Sequence, residues 1–161
     1  MIEIKDFCKE DIKGAIQIWN EIVDQGLAFP QMEALNEESG LAFFQSQTKT
    51  RLAFLNQELV GLYILHPNNV GRCGHISNAS YAVSFSYRKK GIGEALVKDC
   101  LVQAKACGFR ILQFNAVVAS NQAALNLYRK LGFKALGTIP DGFLLKNGEY
   151  EDIIPHYISL V

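Results

Sequence analysis

The chain lacks most of the features that would place it in a specialised class. It has no net charge: sixteen Lys and Arg offset sixteen Asp and Glu among 161 residues. Long-range attraction to nucleic acid or to an anionic membrane is therefore not expected. No apolar run approaches the roughly 18–20 residues of a membrane-spanning helix. The opening Met1-Ile2-Glu3-Ile4-Lys5-Asp6 lacks the apolar stretch of a signal peptide. The four cysteines, Cys8, Cys73, Cys100 and Cys107, form no Cys-x-x-Cys pair and no zinc-type spacing. Free thiols in a reducing cytoplasm, and no metal, are the expectation. No repeat, linker or low-complexity segment interrupts the chain. What is left is a composition 49% hydrophobic and 20% charged, that of a globular protein. Its length suits one domain over 1–161 with a substantial core.

Periodicity supplies the elements. Ile2 and Ile4 alternate with charged residues, as in a half-buried strand. Ile12, Ala15, Ile16, Ile18, Trp19, Ile22 and Val23 make one helical stripe, with Asp11 as candidate N-cap and Gly26 as stop. Leu27-Ala28-Phe29-Pro30 is a loop of apolar residues, which either packs on the core or walls a pocket. A second helix is expected over 33–47, and a hairpin around Asn56-Gln57. A strand over 75–85, a helix ending at Gly108 and a buried strand over 110–118 come next. Cys100 and Cys107, seven apart, are expected on one core face of that helix. Ser120 is the candidate N-cap of a helix over 121–130. Strands over 133–139 and 150–160 complete the chain, with Pro155 marking an edge or bulge. This order predicts an α/β (α+β) fold, one twisted mixed sheet with helices on both faces.

Between strand 75–85 and the following helix stands Arg88-Lys89-Lys90-Gly91-Ile92-Gly93-Glu94. A helix start offers free N–H groups and the positive end of the macrodipole. Gly91 and Gly93 remove two Cβ atoms, so a phosphate oxygen can approach the main chain. Taken alone, the stretch reads equally as a glycine-containing turn with a solvated basic cluster. It is not a Walker loop, because Glu94 follows Gly93, and it lacks the third glycine of a dinucleotide fingerprint.

The order Arg-x-x-Gly-x-Gly between strand and helix resembles the acetyl-CoA pyrophosphate loop of the GCN5-related N-acetyltransferase superfamily. About thirty residues later, Asn121-Gln122-Ala123-Ala124-Leu125-Asn126-Leu127-Tyr128-Arg129-Lys130-Leu131-Gly132-Phe133 resembles that superfamily's late motif. Alone, Tyr128 reads as an amphipathic core residue. The segments around Ser77-Asn78, 111–121, Gly137-Thr138-Ile139-Pro140 and Tyr150-Glu151-Asp152 resemble a subgroup. It includes phosphinothricin-type and proline-analogue acetyltransferases acting on small amino acids.

The resemblance implies a GNAT fold with about six to seven strands, whose central parallel strands part to admit acetyl-CoA. It implies that the backbone of Tyr81, Ala82 and Val83 pairs with pantetheine, Val83 N–H also polarising the thioester carbonyl. Arg88, Lys89, Lys90, Gly91, Ile92, Gly93 and Glu94 would hold the pyrophosphate, and Asn121 the cofactor arm. Tyr128 would protonate the departing thiolate after direct attack by an amine. Relatives often have Pro at the position of Phe85 or Ser86 and Gly at that of Lys89, so this chain departs there. Glu21, Asp24 and His75 are candidate bases, with a water chain as an alternative. Asn78 and Asn115 either make structural hydrogen bonds or recognise the substrate, and Phe29, Leu27 and Tyr63 are candidate pocket walls. The implied function is an N-acetyltransferase for a small-molecule amine. The alternatives are a peptide acetyltransferase and a non-catalytic acyl-CoA-binding module. Many relatives are dimers, and the last strands are the candidate contact.

Overall fold

The computed structural model describes residues 1–161. In chain order the elements are β1 (Ile2–Asp6), α1 (Ile12–Gln25), α2 (Glu37–Ser46), β2 (Lys49–Leu55), β3 (Glu58–Pro67), β4 (Ile76–Val83) and α3 (Ile92–Ala106). Then follow β5 (Ile111–Phe114), α4 (Gln122–Lys130), β6 (Lys134–Ala135), β7 (Ile139–Leu144), β8 (Tyr150–Ile153) and β9 (His156–Ser159). Seven strands form one mixed sheet in the order β1-β2-β3-β4-β5-β9-β6. That is the expected sheet, and β7 and β8 add a separate two-stranded hairpin beside it.

Local chemistry accounts for most boundaries. α1 buries Ala15, Ile18, Trp19, Ile22 and Val23 on one face and stops where Gly26 takes φ 68° and donates back to Ile22 and Val23. Asp11 precedes it, but its side chain makes no cap bond, because a short 3-10 turn over Lys9–Asp11 leads into the helix instead. α2 starts later than residue 33: Asn36 and Ser39 form a reciprocal capping box at 2.8 and 3.0 Å. Asn56 and Gln57, at φ 51° and 69°, make the doubly left-handed turn that suits a β2–β3 hairpin.

Three expectations are corrected. The helix over which Cys100 and Cys107 were to share a face ends at Ala106, so Cys107 is an exposed cap residue while Cys100 is buried. Asn121, not Ser120, caps α4. Its N–H closes a turn onto the Val118 carbonyl, and its Oδ1 accepts from Ala124 N–H at 3.2 Å. Ser120 Oγ donates to Glu151 instead. The strand expected over 150–160 is two, because Pro155 has no N–H to carry the ladder on. β8 pairs with β7, and β9 returns to the main sheet between β5 and β6.

The sheet divides two cores. Leu62 and Ile64 of β3 pack with Trp19, Phe29 and Phe44 on the α1–α2 side. Tyr63 and Leu65 pack with Leu96, Cys100 and Phe114 on the α3–α4 side, the alternation of a strand buried on both faces. Arg51 locks α3 to the sheet. It donates two bonds of 3.1 Å to Asp99 and one of 3.1 Å to Asp6, and Tyr63 Oη donates to the same Asp99 at 2.7 Å. β4 and β5, the single parallel pair, stay in register only at Ile76–Ile111 and Ser77–Leu112. Beyond Ser77 they separate, and that separation positions the site.

Candidate active site

Where β4 leaves β5, its backbone needs another partner. The phase of the β3–β4 ladder decides which residues are involved. Ser84 N–H donates to Val60 O at 2.9 Å, and the register runs without a bulge from Gly61–Val83 to Pro67–Ser77. In an antiparallel ladder alternate residues bond to the same neighbour. Ser84, Ala82, Ser80 and Asn78 therefore direct their N–H and C=O groups at β3. Tyr81 and Val83 direct theirs into the gap. Ala82, named with them from the sequence, is corrected on this point: its backbone is engaged with β3, and its side chain is buried on the α1–α2 side.

At one mouth of the gap lies the basic turn. Phe85 N–H donates to Glu21 Oε2 at 3.1 Å, which fixes the turn to α1. Lys89 at φ 63° and Gly91 at φ 78° are both left-handed, a conformation that glycine adopts more readily than lysine. Ala95 N–H bonds back to Gly91 O at 3.1 Å as the first rung of α3. The N–H groups of Ile92, Gly93 and Glu94 precede that rung and lack an intrahelical partner. A Cβ on Gly93 would meet only Val83 Cγ2 at 3.9 Å and Leu127 Cδ2 at 4.0 Å, ordinary contacts. Packing does not demand glycine there, and its absent Cβ leaves the N–H groups open to approach.

The charged side chains sort themselves around this turn. Arg88 stacks over Phe85 at 4.3 Å and donates to Gln25 at 3.2 Å. Lys89 lines the adjoining hollow of about 650 Å³, whereas Lys90 lies over Tyr87 and is not on that wall. Glu94 turns its carboxylate to Lys130 at 2.8 Å and Lys98 at 2.9 Å, which together hold it below the usual carboxylate range.

A second hollow of about 480 Å³ opens on the α1–α2 face. Phe29, Pro30 and Phe43 wall it from outside, and His66, Asn78, Asn115 and Tyr128 come from the sheet side and α4. Ala28, Tyr81 and Asn121 line both hollows, so the two meet there. Tyr128 packs against Phe114 at 4.6 Å. Burial, then the nearby Cys100, pushes its hydroxyl well above the ordinary phenol range, so it carries its proton.

Asn78 and Asn115 are brought together by Asn68, which directly follows β3. Asn68 Oδ1 accepts from Asn78 Nδ2 at 3.2 Å and from Asn115 Nδ2 at 2.6 Å. Both asparagines thus make structural hydrogen bonds and also line the smaller hollow. Phe29 lines it too while packing on Trp19 at 4.3 Å.

Several candidates lie elsewhere. Tyr63 is on the opposite face, bonded to Asp99, because β3 alternation sends odd residues to the α3 side. Leu27 is exposed and borders the larger hollow. Glu21 is engaged by Phe85, Asp24 is paired with Lys146 at 3.4 Å, and His75 is exposed before β4. None of these three is on the wall of the smaller hollow. Sequence reasoning missed Gln31, whose buried Oε1 has no hydrogen-bond partner, as well as Phe43, Gln47 and His66. For His66 a signal existed: it continues the Leu62, Ile64 alternation. No three His, Cys, Asp or Glu side chains are grouped to hold a metal ion.

A sheet opened between its parallel strands, with a basic helix start at one mouth and a half-buried phenol at the other, defines an acyl-transfer enzyme. The acetyltransferase (GNAT) family model matches residues 16–133, and the chain belongs to that family. It is 41% identical over 91 residues to N-acetyltransferase aca1 of Schizosaccharomyces pombe, covering 56% of this chain and 44% of that protein. It is 27% identical over 90 residues to Protein SPT10 of Saccharomyces cerevisiae, covering 56% of this chain and 14% of that one. The matched stretch is thus less than half the length of either relative. A GCN5-related N-acetyltransferase structure from Kribbella flavida superposes with a TM-score of 0.89 at 28% identity, covering 98% of this chain and 97% of that one. A phosphinothricin acetyltransferase from Sinorhizobium meliloti, solved with AcCoA, has the same fold, with a TM-score of 0.90 at 21% identity over 98% and 88% of the chains.

Proposed function

We propose that this protein transfers the acetyl group of acetyl-CoA to the amine of a small molecule, such as an amino acid or a toxic analogue. The observation that carries the reading is the meeting of two hollows at Tyr81 and Asn121. One borders free helix N–H groups and suits a pyrophosphate; the other, of about 480 Å³, is walled by aromatic, aliphatic and amide side chains and suits a small acceptor. Acetyl-CoA enters as a substrate. The N–H groups of residues 92–94, with Arg88 and Lys89, hold its pyrophosphate. Tyr81 and Val83 offer backbone groups to the pantetheine amides, as an added strand would. Val83 N–H polarises the thioester carbonyl, and Asn121 positions the arm. Phe29, Asn78 and Asn115 contact the acceptor.

The neutral amine attacks the carbonyl carbon, the tetrahedral intermediate breaks its C–S bond, and Tyr128 gives its proton to the leaving sulfur. We read residues 1–161 as one catalytic domain, because both cores share one sheet. The four free cysteines support a reducing, cytoplasmic setting. Leu144 and Tyr150 face each other across the β7–β8 hairpin and are 46% and 60% exposed, which supports a homodimer through that hairpin. Light scattering at two concentrations tests the dimer; a monomer at both excludes it.

Release of free thiol from acetyl-CoA, measured against a panel of amino acids, simple amines and peptides, tests the function. Release with free amino acids or simple amines is expected. Release with peptides alone makes the protein a peptide acetyltransferase. A thermal shift with acetyl-CoA but no release with any amine makes it a binding module.

A further inference from the structure

We propose that His66 is the base that removes the proton from the acceptor amine. The proposal rests on the acetyltransferase reading above and supplies the step that reading leaves without a residue. An ammonium has no lone pair, so an amine that arrives protonated must lose a proton before it can attack. Glu21, Asp24 and His75 do not reach the acceptor hollow. Its wall carries no Asp, Glu, Lys, Arg or Cys. The titratable side chains on it are Tyr81, Tyr128 and His66. The two phenols are donors in their ordinary state, and burial reinforces that. An imidazole is the side chain that accepts and returns a proton near neutral pH.

The geometry fits the task. His66 stands directly opposite Asn78 in the β3–β4 register, and Asn78 is the first residue of β4 beyond its pairing with β5. Directly opposed side chains share a face of the sheet, which is the α1–α2 face of Leu62 and Ile64. His66 Nδ1 lies 3.0 Å from the Pro67 carbonyl oxygen. A carbonyl only accepts, so in the neutral ring the proton sits on Nδ1 and the lone pair on Nε2. The side chains that share this wall with it carry no charge: Asn78 of β4, Asn115 after β5, and Phe43 and Gln47 from the α2 side; Asn68, which accepts from both asparagines, is uncharged as well. Lys49 of β2, opposite the neighbouring Leu65, directs its ammonium to Asp6 at 3.7 Å.

The steps balance. Nε2 takes one proton from the ammonium, giving the amine and an imidazolium. The amine lone pair forms the C–N bond. The intermediate then breaks its C–S bond, and the sulfur takes the Tyr128 proton. The new amide nitrogen loses its extra proton to the Tyr128 oxygen, and the imidazolium releases its proton to water.

The test compares wild type, His66→Gln and His66→Ala by thiol release between pH 5.5 and 9.5. Two accepted amines of different basicity are used, for example a free amino acid and its amide. The wild-type kcat/KM is expected to rise through an acidic limb that keeps its position for both amines. His66→Gln should lose that limb and on the order of 100-fold in kcat, the scale of general-base loss. Its acetyl-CoA KM should stay within about twofold, because only the chemical step is touched. Added imidazole should restore part of the His66→Ala rate. A His66→Gln enzyme with wild-type kcat and an unchanged limb overturns the proposal. Nitrogen-15 NMR of the wild-type imidazole gives a readout that does not depend on how the variants fold: a proton on Nε2 in the neutral ring also overturns it. If the wild type releases no thiol with any amine, the acetyltransferase reading falls, and this proposal falls with it.

Discussion

Tyr128 is held by its ring, not by its hydroxyl. Phe114 at 4.6 Å, Phe133 at 5.4 Å and His156 at 5.8 Å surround it. Tyr128→Phe therefore leaves the packing intact and removes only the proton donor. We expect kcat to fall about 100-fold while the acetyl-CoA KM changes less than about threefold; steady-state thiol release measures both. Equal turnover would remove Tyr128 from the mechanism. The direction of its pKa has a further consequence. Raised by burial, the phenol stays protonated through neutral and mildly alkaline pH, so no descending limb belonging to it is expected below about pH 10. At this scale the sequence was partly legible. The motif around Asn121 marked Tyr128, and the polar exceptions in apolar strands marked Asn78 and Asn115. Asn68 was not legible, because its role depends on a loop folding back onto two strands ends that are distant in sequence. Tyr63 was placed on the wrong face, because in a strand buried on both sides hydrophobicity alone does not tell one face from the other.

The turn before α3 makes the sharpest prediction among the elements. Gly93→Ala adds a methyl that meets Val83 and Leu127 at ordinary distances, and alanine suits a helix better than glycine by about 0.5–1 kcal/mol. The free protein should therefore melt no lower than wild type. The same methyl occupies the approach to the unpaired N–H groups of α3, so the acetyl-CoA KM should rise by on the order of tenfold or more. Calorimetry and steady-state kinetics on one variant separate the two effects. An unchanged KM would move the pyrophosphate elsewhere. Elements were legible where local chemistry sets them: the helical stripe of α1 ending at Gly26, and the Asn56-Gln57 hairpin. The end of the chain was not. There the sheet assignment depends on which distant strand completes each edge, and β9 fits between β5 and β6 only after Pro155 has ended β8.

At the scale of the molecule, the two cores and the gap make opposite demands on acids and bases. The α3 side carries four groups whose neutral forms burial favours: Tyr63 and Cys100 within the core, the thiol pushed up to about 12, and Tyr81 and Tyr128 partly buried against it. Raised values mean that their contribution is intact below the unfolded-state range of about 8.5–10 and is lost as pH climbs toward the folded values. The melting temperature should therefore fall steadily above about pH 9, and a flat curve to pH 11 would contradict the burial of these groups. The gap faces the other way, toward two hollows that meet at Tyr81 and Asn121. Cys100 is enclosed on the α3 side, and none of the four cysteines lies on either wall. A thiol that would carry the acetyl group between substrates is therefore missing from both walls, while the two hollows adjoin. Both substrates should be bound together before any bond changes. Initial rates measured at several fixed acetyl-CoA concentrations should give double-reciprocal lines that intersect. Parallel lines, with burst release of one equivalent of thiol in the absence of amine, would mean a covalent acetyl-enzyme. The direct attack argued from the open edge of β4 would then be wrong, even with the fold and the family unchanged.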